Sequence, residues 1–237
     1  MVGVEVGIAF DVGANGRIIV EGRGESWAEG FDDPLYEQPE IQAELALHYQ
    51  RDLSNGLIVG GYLTYGSAPH EGGSEDYTVA SLGLEAIYPV NDRFTVYAQI
   101  AKVDAPSYDT QDSAGYVDGS VARIGAYYAG FDRTTLYLDY EVGRSDVYED
   151  SNEPGEFSLV TIGGETAIGA GNWAVTYAAN FGSFDAVGDT DLVEETSYGI
   201  GVRYYFGGAT AAATLDAGMI GTPQIPLRAS TYVTGTD

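Results

Sequence analysis

The stretch Ser197-Tyr198-Gly199-Ile200-Gly201-Val202-Arg203-Tyr204-Tyr205-Phe206 decides how this chain is read. Tyr198, Ile200, Val202, Tyr204 and Phe206 fall on alternate positions, with Gly199, Gly201, Arg203 and Tyr205 between them. A strand sends successive side chains to opposite faces, so this segment has one wholly apolar face and one small or polar face. A strand of a soluble sandwich can read the same way. The rest of the chain decides between them, because it repeats the pattern with almost nothing else.

Working outward from that stretch, Trp173, Val175, Tyr177, Ala179 and Phe181 alternate with Ala174, Thr176, Ala178 and Asn180. Leu136, Leu138, Tyr140 and Val142 oppose Asp139 and Glu141, and Ala122, Ile124, Ala126 and Tyr128 oppose Arg123. Residues 157–168 form a strand whose facing the pattern leaves open. Nearer the N-terminus, Phe94, Val96, Ala98 and Ile100 mark one strand, and Leu82, Leu84, Ala86 and Tyr88 another, with Glu85 on its other face. Ile41, Ala43, Leu45, Leu47 and Tyr49 alternate with Gln42, Glu44 and His48. Ile18 and Val20 oppose Arg17, Glu21 and Arg23. Val4, Val6, Ile8, Phe10 and Val12 oppose Glu5 and Asp11. These make about eleven strands of roughly ten residues, the length that crosses a bilayer at a barrel's tilt.

The connections alternate in length. Those at 13–16, 52–56, 91–93, 130–133 and 169–172 are short; those at 26–39, 67–76, 105–118, 146–156 and 184–195 are long and acidic. In the first turn, Asn15-Gly16 supplies the positive φ of a tight hairpin. A sandwich has no reason to sort its loops in this way. An up-and-down barrel does, since odd connections lie at one rim and even ones at the other. The fold expected is therefore all-β: an up-and-down antiparallel transmembrane β-barrel. Single-chain bacterial barrels have even strand numbers, which gives an expectation of about 12. The twelfth strand would come from 209–217, where Ala209, Ala211, Ala213 and Leu215 alternate, or from a segment before Met1. Residues 1–208 form the barrel and 209–237 a C-terminal extension ending in an irregular tail with Pro223 and Pro226.

Composition narrows the function. Lys and Arg total 10 against 36 acids, for a net charge of −26, which argues against a nucleic-acid partner. With no cysteine, neither a disulfide framework nor a thiolate site can form. No run is long and apolar enough for a transmembrane helix, and the N-terminus carries no leader peptide. Only His48 and His70 are present, and neither sits in a Gly-x-Ser-x-Gly or His-Glu-x-x-His motif, so no enzyme is expected. The acidic loops lack the Asp-x-Asp-x-Asp-Gly spacing of a calcium loop, so no metal or cofactor is expected either. Aromatic residues close to strand ends (Phe10, Tyr49, Tyr65, Tyr88, Phe94, Tyr128, Trp173, Phe181 and Phe206) match the girdle of a membrane interface.

On this alternation, loop sorting and final segment, residues 2–208 resemble bacterial outer-membrane β-barrel proteins of the porin-like kind. Tyr198, Ile200, Val202, Tyr204 and Phe206 resemble that family's C-terminal assembly signal, although here the chain continues past Phe206. The resemblance implies the outer membrane of a Gram-negative bacterium, with a leader absent from this sequence. It also implies lipid and the barrel-assembly machinery as partners, and it allows a homo-oligomer. Inward positions would be Glu5, Asp11, Arg17, Glu21, Arg23, Glu44, His48, Glu85, Arg123, Asp139, Glu141 and Arg203. They would line a narrow channel for passive diffusion of small polar solutes or cations. The alternative is a structural or adhesive barrel with a plugged lumen, and the third reading is a soluble, secreted, acidic β-sandwich.

Overall fold

The computed structural model describes residues 2–27, 40–53, 56–68, 77–104, 118–148, 153–169, 173–186, 193–204 and 220–226. Eleven strands follow one another in a single sheet: β1 Val2–Val12, β2 Gly16–Trp27, β3 Glu40–Asp52, β4 Ile58–Ala68, β5 Tyr77–Asn91, β6 Phe94–Asp104, β7 Gly119–Phe131, β8 Thr134–Tyr148, β9 Glu153–Ile168, β10 Trp173–Ala186 and β11 Val193–Tyr204. Each pairs antiparallel with its neighbour in sequence, in the spatial order β1 to β11, and the sheet curls into a half-barrel. The expected extra strand at 209–217 and the terminal Phe206 lie outside the described residues.

Two local expectations need correction. In the first turn a positive φ falls on Gly13, at 69°, and not on Gly16. Gly16 instead opens β2, where a Cβ would come within 2.6 Å of the Val12 carbonyl oxygen. The loop expected at 146–156 is mostly strand. β8 and β9 continue past the apolar positions with Arg144 opposite Glu156, Ser145 opposite Gly155 and Tyr148 opposite Glu153. Acidic residues there conceal a ladder that extends beyond the apolar band.

Burial departs from that of a soluble core. The concave interior buries many polar and charged side chains, such as Glu44, His48, Glu85 and Glu141, beside apolar ones such as Ile19, Ile87, Phe157 and Leu159, while large apolar side chains stand exposed on the outer face. Register makes the outer face continuous. One row runs Ala98, Ile124, Tyr140, Val160 and Phe181 across β6 to β10. The next row toward the short turns runs Val96, Ala126, Leu138 and Ile162. On the other side the apolar rows stop at Lys102, Ser120, Arg144 and Glu156, again four residues in one row. Tyr49, Tyr88, Tyr128, Phe131 and Trp173 sit outward near the short turns, Tyr65 and Phe181 near the long connections, all exposed. The open strand β9 resolves with Phe157, Leu159, Thr161 and Glu165 buried and Ile162 and Ile168 exposed.

Inside, three tyrosines lie over the glycine directly opposite on the next strand: Tyr62 over Gly83, Tyr97 over Gly125 and Tyr137 over Gly163. A Cβ on any of these glycines would overlap the ring. The bare backbone is the seat for the ring, so each pair fixes the register of its two strands. At the sheet edges β1 and β11 run in the same direction, as an odd number of up-and-down strands requires. Arg203 on β11 reaches Glu5 on β1 and, at 3.0 Å, Glu165 on β9.

Candidate functional site: the concave interior

The interior is organised by one register row. Asp11, Arg17, Gln50, Gly60, Glu85, Gln99, Arg123 and Glu141 stand side by side from β1 to β8. From Gln50 to Glu141 the side chains of the row touch in sequence. Gln50 Nε2 donates to Glu85 Oε1 at 2.8 Å across Gly60, whose missing side chain leaves room. Gln99 Nε2 donates to Glu85 Oε2 at 3.2 Å, and Arg123 Nη1 to Gln99 Oε1 at 3.2 Å. Arg123 Nε lies 3.6 Å from Glu141, and its Nη2 donates to Asp139 at 3.0 Å. The guanidinium also sits 5.1 Å from the Tyr97 ring centroid. Two acids converging on one buried cation fit the chemistry: an unpaired charge here would cost several kcal/mol.

His48 joins this row from β3. Its Nδ1 donates to Glu85 Oε2 at 3.0 Å, its Nε2 lies 3.4 Å from Glu21, and its ring stacks on Tyr62 with centroids 5.5 Å apart. Arg23 lies 3.5 Å from Glu44, its register partner. Tyr97, Tyr127 and Tyr137 form an aromatic ladder, with centroids 5.1 and 6.0 Å apart.

Of the twelve inward residues expected, Glu21, Glu44, His48, Glu85, Arg123, Asp139 and Glu141 are buried in this interior. Arg23 and Arg203 are partly covered. Asp11 and Arg17 pair at 3.7 Å near the first turn, with Asp11 exposed, and Glu5 is half-exposed on the edge strand. Gln50, Gln99 and Glu165 share the inner face and were not singled out. Parity alone points to Gln99, between Ala98 and Ile100. Glu165 was hidden by the unreadable facing of its strand.

Residues 220–226, Ile-Gly-Thr-Pro-Gln-Ile-Pro, occupy this interior. Gln99 Nε2 donates to the Gly221 carbonyl at 2.8 Å, and Arg123 Nη1 to the Ile220 carbonyl at 3.0 Å. Glu141 Oε2 accepts from the backbone N–H of Gln224 at 2.7 Å and of Ile225 at 3.1 Å. Thr222 donates its hydroxyl to Glu44 on the far side. Ile220 packs with Ile87 and Tyr97, and Ile225 is fully buried. Read from the sequence as irregular tail, the segment returns into the interior, and Ile225 and Pro226 at its end adopt helical backbone. A shallow depression on the outer face, lined by Ile100, Ala122, Tyr140, Val142, Arg144 and Glu156, marks where apolar rows meet the polar one.

Fold and interior together define an up-and-down antiparallel half-barrel with apolar exterior and charged interior. Comparison of the chain with protein-family models, curated protein sequences and solved structures finds no match in any of the three.

Proposed function

We propose that this chain is a porin-like β-barrel of a Gram-negative outer membrane whose interior is closed at rest by its own residues 220–226. The exposed apolar outer face carries the reading. A continuous outward band of Val, Leu, Ile and aromatic side chains is unfavourable in water and suited to lipid. On β1 the apolar positions from Val4 to Val12 span roughly 27 Å along the strand and, at a tilt of about 40°, roughly 20 Å of membrane depth. Aromatic residues at both limits of the band supply interfacial anchors. The short turns would face the periplasm and the long acidic connections the outside. Outer-membrane lipid and the barrel-assembly machinery are then the partners, the latter meeting the alternating Tyr198, Ile200 and Val202. A soluble sandwich has no use for such a band.

The occupied interior favours the plugged reading over an open pore. Carboxylates outnumber cations on the inner face, so any path opened along it would prefer cations. Trp173, 51% exposed on the outer face, tests membrane insertion. With Trp27 replaced by Phe, its fluorescence in vesicles should be quenched strongly by brominated acyl chains and weakly by aqueous acrylamide. The reverse pattern sinks the membrane reading. In planar bilayers, the full chain should show no steady open-channel current.

A further inference from the structure

We propose that the inner wall from β3 to β8 is a peptide-recognition site, and that residues 220–226 are its tethered ligand, a stopper able to leave and return. What leaving would open depends on the membrane reading above; the recognition itself does not.

The contacts have the character of ligand binding. The segment belongs to no strand of the sheet, and the hydrogen bonds that hold it come from wall side chains. Four wall groups do this: Gln99, Arg123, Glu141 and Glu44, each at least nine-tenths buried. Two donate to successive carbonyls, of Ile220 and Gly221. One carboxylate oxygen accepts two successive amides, of Gln224 and Ile225. This recognises peptide backbone. Selectivity comes from the side chains, with Ile220 against Ile87 and Tyr97, and Ile225 enclosed completely.

The segment is shaped for its seat. Gly221 adopts a φ of 68°, a conformation that other residues disfavour. Pro223 and Pro226 carry no N–H, which reduces the buried donors an irregular backbone must satisfy. The ligand class is therefore a short, uncharged, proline-interrupted peptide with apolar residues five positions apart. The excess of wall carboxylates disfavours acidic peptides.

The tether allows exchange. Residues 205–219 join the end of β11 to the segment, and a linker of that length reaches up to about 50 Å when extended. Residues 220–226 themselves take part in no strand pairing, so their release breaks none of their own. Because the segment belongs to the same chain as the wall, it stays near its site, and a modest intrinsic affinity suffices to keep that site filled.

The test uses the full chain with Ile225→Asp, which sets a carboxylate beside Glu141 and leaves the wall unchanged. The probe is the synthetic heptapeptide of residues 220–226, acetylated and amidated, titrated by calorimetry in detergent micelles. Binding to the Ile225→Asp chain, none to the wild-type chain, and none of a scrambled peptide are expected. Adding Glu141→Gln should weaken the peptide about tenfold or more, as loss of a charge-assisted acceptor implies. Gly221→Ala, which strains the segment without adding charge, serves if Ile225→Asp does not fold. No peptide binding to a folded variant whose segment has been expelled overturns the proposal. In planar bilayers the same variant should conduct, and the heptapeptide should block it. Peptide binding without any conductance would uphold the recognition site and reject the membrane channel.

Discussion

Leu138→Arg separates a lipid-facing wall from a water-facing one. Leu138 is 52% exposed at the centre of the outer face of β8, five residues from Arg133 and six from Arg144. Both arginines are exposed and flank the apolar stretch. At about 3.3 Å per residue these intervals are roughly 17 and 20 Å along the strand, or about 13 and 15 Å of depth at a 40° tilt. That puts residue 138 close to the bilayer midplane. Arginine there costs about 2–4 kcal/mol, a roughly 30- to 1,000-fold shift in the folding equilibrium. In water the same change at a half-exposed position stays within about 0.5 kcal/mol. The assay is reversible denaturant unfolding from lipid vesicles, with Ser120→Arg as the control, since Ser120 lies in the polar row beside Lys102 and Arg144. The control should cost no more than about 1 kcal/mol. Equal costs for the two substitutions would refute the assignment of the outer face to lipid.

Arg123→Leu should destabilise by about 3–5 kcal/mol, because Asp139 and Glu141 are left buried without their cation; a loss under 1 kcal/mol in denaturant unfolding would contradict the network. Gly83→Ala should cost about 1–3 kcal/mol by overlap with the Tyr62 ring, and much less in a Tyr62→Leu background. Additive losses in that double-mutant cycle would dismiss the tyrosine-on-glycine seat. Glu5→Ala at the sheet edges should cost less than about 1 kcal/mol and progressively less with added salt, since its link to Arg203 is solvent-accessible. A large effect indifferent to salt would mean that the two edges are joined by more than this contact.

The strands were legible because period-two alternation is local: Leu45 against Glu44, or Ile124 against Arg123, declares two faces within a few residues. Parity puts Glu44, His48 and Glu85 on the buried face, but it gives the same face to Asp11 and Glu5, which stay exposed. What was not legible depends on distance along the chain. Gln99 and Gly221 are 122 residues apart, and nothing in Ile-Gly-Thr-Pro-Gln-Ile-Pro announces a wall of side chains from β3 to β8. The tyrosine-on-glycine seats need register, which alternation does not supply. Neither did alternation reveal where β8 and β9 end, because Arg144 and Glu156 pair across a ladder that has left the apolar band. Phe157 and Leu159 face inward with Thr161 and Glu165, so apolar content left the facing of β9 open.

The position of residues 220–226 after the eleven strands also imposes an order of events. All eleven strands precede the segment in synthesis, and its partners Gln99, Arg123 and Glu141 come from three successive strands. It has no seat until β6, β7 and β8 stand side by side. These three strands therefore pair before the segment can seat, and their charged inner faces are still hydrated when they do. The contact that covers Gln99, Arg123 and Glu141 follows the strand pairing that creates it, and it is made by a segment outside the strand ladder.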